Sequence, residues 1–230
     1  SGFPAEPGRY HLYVNVGCPW AYRTLLYRKL KGLEGVIGIS FTRPGAGLEG
    51  WTIATSDGGS SDDLFGFEHL HQVYARADPN FTGRVTVPVL YDKHQQTIVN
   101  NESSEIIRML NREFDEWGRA ELDFYPAALA ADIDALNDVI YRDVNNGVYR
   151  CGFAGTQGAY EAAYDALFAM LDELDARLGN RRFLLGDDVT EADWRLLPTL
   201  QRFDVAYYGL FRCNRRRLTD YANLWPYARD

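Results

Sequence analysis

The sequence predicts an α/β domain followed by an all-α domain. Three observations carry this reading. Residues 11–41 run strand, helix, strand, with Gly17-Cys18-Pro19 at the first junction. Residues 85–110 run strand, turn, strand, helix around an internal Pro88. From about residue 126 onward the apolar residues recur only at helical spacing. With 46 % hydrophobic and 14 % aromatic residues in 230, the chain has enough apolar mass for a sizeable core and is not disordered.

In the first strand Leu12, Val14 and Val16 alternate with His11, Tyr13 and Asn15, which predicts one buried face. Gly17 breaks the strand, and Pro19 sits where the first turn of a helix accepts proline. Leu25, Leu26 and Leu30 mark the apolar face of that helix, with Trp20 and Ala21 one turn earlier. Val36 to Phe41 reads as a short buried strand, completing a βαβ unit whose strands are parallel. Thr42 to Leu64 reads as a long irregular segment containing Trp51. Within it, Gly45 to Gly50 matches a dinucleotide-binding glycine pattern. That motif needs a helix to open directly behind it, and Trp51 onward is a poor helix, so no nucleotide is expected.

Phe65 to Ala77 is expected to be helical, with Leu70, Val73 and Tyr74 inside. Val85 to Tyr91 is a strand, and Pro88 is tolerated there at an edge, at a bulge or as a cis-proline. Thr97 to Val99 returns. Ser103 or Ser104 is a natural N-cap for the helix that follows. Glu102, Ser103 and the first amides of that helix would make an anion-ready edge, or simply an ordinary cap.

The domains are therefore residues 1–114, a charged linker over 115–125, and a helical domain over 126–230. Helices are expected over Ala127–Arg142, Tyr160–Leu178, Thr190–Val205 and from Tyr221, with a turn at Asn145-Asn-Gly147. Thr190 and Asp193 form a capping box, a structural feature.

The net charge of −8 disfavours nucleic-acid and anionic-membrane partners, and Arg215-Arg216-Arg217 reads as a solvated face. No apolar run reaches the roughly 18 to 20 residues of a membrane span. The chain opens without a signal-peptide pattern, which points to a cytoplasmic protein. Three cysteines fit reduced thiols better than a disulfide framework. His69 and His71 are two apart, and no Cys/His spacing suggests a metal.

The chemistry concentrates at Cys18. At a helix N-terminus, free backbone N–H groups and the helix dipole favour the thiolate, the reactive form of cysteine. The competing reading is a small buried apolar residue. Residue 21 is Ala, so no second thiol stands beside Cys18 to resolve a mixed disulfide. An external thiol must do so.

The order β-α-β, loop, α-β-β-α resembles the thioredoxin fold, and with the helical second half the chain resembles a glutathione transferase. Gly17-Cys-Pro-Trp-Ala21, Arg84-Val-Thr-Val-Pro-Val89 and Asn101-Glu-Ser103 resemble more narrowly the Xi class, the glutathionyl-hydroquinone reductases. Asn145-Asn-Gly-Val-Tyr149, Thr190-Glu-Ala-Asp193 and Cys213-Asn214 fit the same family.

The resemblance implies an N-terminal thioredoxin-like domain that binds glutathione as co-substrate and a helical glutathione-transferase C-terminal domain. It implies that Trp51 packs along the tripeptide and that Arg84 pairs with a carboxylate. The Val87 backbone, beside cis-Pro88, would bond the cysteinyl part, and Glu102 and Ser103 would hold the γ-glutamyl end. Tyr149 and Tyr207 would line the aromatic-substrate pocket. The implied reaction reduces a glutathionyl-hydroquinone through a Cys18–glutathione disulfide, in a homodimer, with Cys151 and Cys213 structural. Two readings compete with it: an Omega-like thioltransferase or dehydroascorbate reductase, and a non-catalytic binding module.

The sequence departs from the pattern at Tyr22 and Leu210, where a His is common; both positions bear on the aromatic-substrate side. The family generally continues with more helix and a tail beyond the position of Asp230.

Overall fold

A computed structural model describes residues 2–45, 48–54 and 62–230. The chain divides into two compact units, Ser1–Asp123 and Phe124–Asp230.

The first unit is built on a five-stranded sheet of order β3-β2-β1-β4-β5. Its strands are β1 (Tyr10–Val14), β2 (Gly38–Pro44), β3 (Trp51–Ala54), β4 (Val89–Asp92) and β5 (Thr97–Asn100). The helices are α1 (Pro19–Leu30), α2 (Leu70–Ala77) and α3 (Ser103–Arg112). β1 pairs parallel with β2, as the βαβ reading requires, and antiparallel with β4.

The segment expected to be irregular from Thr42 is partly sheet. β2 runs on to Pro44, and β3 returns antiparallel beside it, so Trp51 lies on an edge strand. A strand therefore follows Gly50 where a nucleotide-binding motif would need a helix. Residues 46–47 and 55–61 of that segment lie outside the described residues.

Alternation predicted one buried face for β1, but all five of its residues are buried. The polar face is buried because its groups are paired. His11 Nε2 lies 2.8 Å from Ser40 Oγ, Ser40 Oγ donates to Asp62 Oδ1 at 3.1 Å, and Tyr13 donates its hydroxyl to Asp62 at 3.2 Å. The Ser40 hydrogen is spent on Asp62, so a neutral His11 donates from Nε2. Gly38 makes room for that ring: a Cβ there would come within 2.5 Å of His11 Nδ1.

In α1 the inward side carries Ala21, Arg23, Thr24, Tyr27 and Arg28, while the three leucines are only half-buried. Arginine serves inside because its head finds carbonyls: Arg28 donates to Ile37 O at 2.7 Å and to Glu34 O at 2.8 Å. The expected linker is likewise tied down. The fully buried Lys31 donates to Asp115 Oδ1 at 2.9 Å and to Leu122 O at 2.7 Å, and Arg119 N donates to Lys31 O. Residues 115–123 thus belong to the first unit.

The second unit contains α4 (Ala130–Ile140), α5 (Gly147–Gly152), α6 (Gln157–Leu178), α7 (Glu191–Arg202), α8 (Tyr208–Leu210) and α9 (Leu224–Tyr227). Leu167, Phe168, Leu171 and Leu174 of α6 share one core with Leu196 and Leu200 of α7. The capping box is present: Thr190 N and Oγ1 both donate to Asp193 Oδ2, at 2.8 and 2.9 Å.

Two stretches depart from expectation. Asn145 lies not in a turn but at the end of a π-helical segment, Tyr141–Asn145, with its amide donating to Thr199 Oγ1 at 2.9 Å. The arginine run is not simply solvated. Arg215 lies over the Tyr164 and Phe168 rings, Arg216 over Tyr221 and Arg217 over Tyr208, at 4.2–5.0 Å. Arg216 also pairs with Asp172 at 3.2 Å. Cation–π contact thus binds the stretch after α8 to α6. Among the described residues no helix is long and apolar enough to cross a membrane.

Burial lowers the His11 pKa from 6.5 to about 4. Between those values the unfolded chain binds a proton that the folded chain refuses, so stability falls as pH drops through this window. We expect the loss to reach about 3 kcal/mol at most. Denaturant unfolding of the wild type and His11→Gln from pH 7 to 4 checks this: the variant should show the shallower slope, and equal slopes would contradict it.

Candidate active site

The strand registers gather the site at one end of the sheet. Tyr13 lies opposite Val89, so the chain just ahead of β4 reaches the level where β1 ends. Leu90 lies opposite Asn100, so β5 also ends there and delivers Glu102 and Ser103. Thr42, level with Asn15, carries β2 to the same end.

Cys18 follows β1 in this position. It is the N-cap of α1, with extended backbone (φ −82°, ψ 117°), and it is half-buried. Its Sγ lies 4.0 Å from the Val87 carbonyl, and the Val87–Pro88 bond is cis. No acidic residue stands in the first turn of α1, while Arg28 and Lys29 occupy its last. The positive end of the helix dipole is therefore not neutralised by the helix's own first turn.

Glu102, not Ser103 or Ser104, caps α3. Its carboxylate accepts from Ser104 N and Ser104 Oγ, both at 3.2 Å, and from Ser103 Oγ at 3.4 Å. The longer side chain reaches back over the turn, and Ser103 is drawn into the helix and buried. Trp51 is half-buried on β3, and Arg84 is exposed ahead of Thr86.

Sequence reading missed the residues that brace this end. Tyr74 donates its hydroxyl to Thr86 O at 2.9 Å, and Asn101 Nδ2 reaches Tyr74 Oη at 3.3 Å and Thr86 Oγ1 at 3.2 Å. The three join α2, the stretch before Pro88 and the turn before α3. Tyr74 was legible only as a buried helix residue; nothing in the spacing marked its hydroxyl.

In the second unit, Tyr149 and Tyr207 come together. Their hydroxyl oxygens are 3.3 Å apart, their rings meet edge-on at 5.8 Å, and Phe211 packs against both. Tyr149 stands on α5 just past one π-helical segment, and Tyr207 ends the other, Phe203–Tyr207. Such insertions recur at functional positions. Leu210 is largely exposed on α8, and Tyr22 is half-buried on α1. Cys151 and Cys213 are buried; the hydrogen bond that the Cys213 thiol donates to Cys151, together with burial, pushes Cys213 well up. Among the described residues no group of three or more His, Cys, Asp or Glu could hold a metal ion.

Residues 17–113 match the family model for the glutathione S-transferase N-terminal domain, and residues 157–230 match that for the C-terminal domain. The chain belongs to the glutathione S-transferase family. It is 53 % identical over 224 residues to the glutathionyl-hydroquinone reductase PcpF of Sphingobium chlorophenolicum, covering 97 % of this chain and 72 % of that protein. The glutathione-bound structure of YqjG from Escherichia coli K-12 superposes with a TM-score of 0.96 at 51 % identity, over all of this chain and 75 % of that one. The Xi transferase structure from Phanerochaete chrysosporium gives 0.95 at 49 %, over all of this chain and 79 % of that one. Within the family, this chain belongs with the Xi class and the glutathionyl-hydroquinone reductases.

Replacing Tyr74 by Phe should loosen the stretch before Pro88. We expect a loss of about 1 kcal/mol in stability, together with faster amide exchange over residues 84–88. Exchange unchanged from wild type would remove Tyr74 from this role.

Proposed function

We propose that this chain reduces glutathionyl-hydroquinones to hydroquinones at the expense of glutathione, with Cys18 as nucleophile. Two observations together carry the reading. The chain is 53 % identical to a glutathionyl-hydroquinone reductase and presents Cys18 as the N-cap of a helix whose first turn lacks acidic residues.

The Cys18 thiolate attacks the sulfur that joins glutathione to the ring. The Cys18–S–SG disulfide forms as the sulfur–carbon bond breaks, and the ring carbon takes up a proton as the hydroquinone leaves. A second glutathione, as thiolate, then attacks the glutathionyl sulfur. Oxidised glutathione departs and the Cys18 thiolate is restored. Two sulfurs are oxidised to a disulfide and one carbon is reduced, so the electrons balance. The first half displaces a ring carbon from sulfur through a covalent enzyme intermediate, and the second is a thiol–disulfide exchange.

Recognition follows charge. Glutathione carries two carboxylates and one ammonium. The Glu102 carboxylate complements the ammonium, while Ser103 at the start of α3 complements the γ-glutamyl carboxylate. Arg84 pairs with the second carboxylate, the Val87 backbone bonds the cysteinyl unit, and Trp51 packs along the tripeptide. Tyr149 and Tyr207 offer phenol donors to a quinol oxygen. The enzyme works as a homodimer in the cytoplasm, where reduced glutathione supplies the second thiol.

Steady-state kinetics test the account. Cys18→Ala and Cys18→Ser should lose at least about a thousandfold in kcat, and double-reciprocal plots for the two substrates should be parallel. Arg84→Ala should raise KM for glutathione about tenfold. Full activity in Cys18→Ala would overturn the assignment. Faster turnover of dehydroascorbate or a glutathionylated peptide than of a glutathionyl-hydroquinone would assign the site to thioltransferase chemistry instead.

A further inference from the structure

The ladder between β1 and β2 ends at the Val14–Phe41 pair. The next pair in register, Asn15 and Thr42, is joined through side chains instead. Asn15 Nδ2 donates to the Thr42 carbonyl, and Thr42 Oγ1 donates to Val14 O at 3.3 Å. The other end of the same amide group turns to the site. Asn15 Oδ1 accepts from Gly17 N at 2.9 Å and from Cys18 N at 3.0 Å. An amide oxygen only accepts and an amide nitrogen only donates, so a carbonyl on one side and two N–H groups on the other fix which way the group faces. Asn15 is only 7 % exposed, which limits competition from water. The arrangement also explains Gly17, since a Cβ there would come within 3.0 Å of Asn15 Oδ1.

We propose that Asn15 is a positioning residue for Cys18: one buried amide ties the backbone of residues 17 and 18 to β2 and so sets where Sγ stands beside the Val87 carbonyl. This rests on Cys18 being the nucleophile. Attack on sulfur is directional, with the incoming thiolate in line with the bond that breaks, and a misplacement of about 1 Å costs about a hundredfold. Val87 is held by its own bracing through Thr86 and Tyr74. Asn15 provides the matching restraint on the Cys18 side, and it does so without charge. A carboxylate at the same place would accept the same two N–H bonds but would repel both the Thr42 carbonyl and a thiolate at residue 18.

The test uses the full chain with Asn15→Ala and Asn15→Asp, and His11→Gln as a control that alters β1 away from the turn. Two properties are read: steady-state kinetics, and the rate of Cys18 alkylation by iodoacetamide against pH. Asn15→Ala should lower kcat ten- to a hundredfold, with KM for glutathione within about twofold. Asn15→Asp should move the alkylation midpoint to higher pH by about one unit. His11→Gln should change neither. The nearly isosteric Asp variant answers the question even where the Ala variant is too unstable to assay. Wild-type kcat and a wild-type alkylation profile in the Asn15 variants, with only a lower Tm, would overturn the proposal. A wild type whose alkylation is indistinguishable from that of Cys18→Ala would instead remove the nucleophile assignment, and this proposal with it.

Discussion

Between Val14 and Pro19 the chain must leave a fully buried strand and begin a helix, and everything else at the site depends on how it does so. The turn has few degrees of freedom. Pro19 fixes the first helical φ. Gly17 keeps the turn close to the Asn15 amide, since a Cβ there would stand 3.0 Å from Asn15 Oδ1, a tight contact. Asn15 satisfies the amides of residues 17 and 18 and anchors them to β2. What remains is a cysteine at the head of a helix, held at the end of the central strand where the chain segments before β4 and after β5 also arrive.

The rest of the first unit makes that strand immovable. Its apolar face lies in the core, and its other face is closed by His11, Ser40, Tyr13 and Asp62. At the far end of the sheet, Arg9 donates two bonds to the fully buried Asp92, joining the start of β1 to the end of β4. A fully satisfied buried polar network specifies one arrangement, because any slip leaves costly unpaired groups. The order of β1 thus comes from polar pairing as much as from apolar packing. The second unit solves a different problem. Its two π-helical segments lead to a pair of phenols whose oxygens are 3.3 Å apart.

Much of this was legible in the sequence. The strand–Gly-Cys-Pro–helix junction and the Thr-x-x-Asp cap are local signals set by a few residues, and the structure shows both; the strand read over Val85–Tyr91 begins only at Val89, after the cis Val87–Pro88 bond. What stayed hidden depends on distant partners. That β1 is buried on both faces follows from Asp62, 49 residues beyond Tyr13. Arg215 looked solvated because its aromatic partners Tyr164 and Phe168 lie on α6, about fifty residues earlier. The helical continuation through Asn145 depends on Thr199 accepting its amide. Glu102 displaced the serines as cap of α3 because a longer side chain can fold back over the turn, a contest that the usual cap preferences decide the other way.

The most direct measurement is intact-protein mass after mixing the enzyme with a glutathionyl-hydroquinone, with no free glutathione present. The account predicts one glutathionyl adduct per chain, mapped to Cys18, formed with release of one hydroquinone and cleared on adding glutathione. Hydroquinone release without an adduct, or an adduct mapped to Cys151 or Cys213 instead, would contradict it.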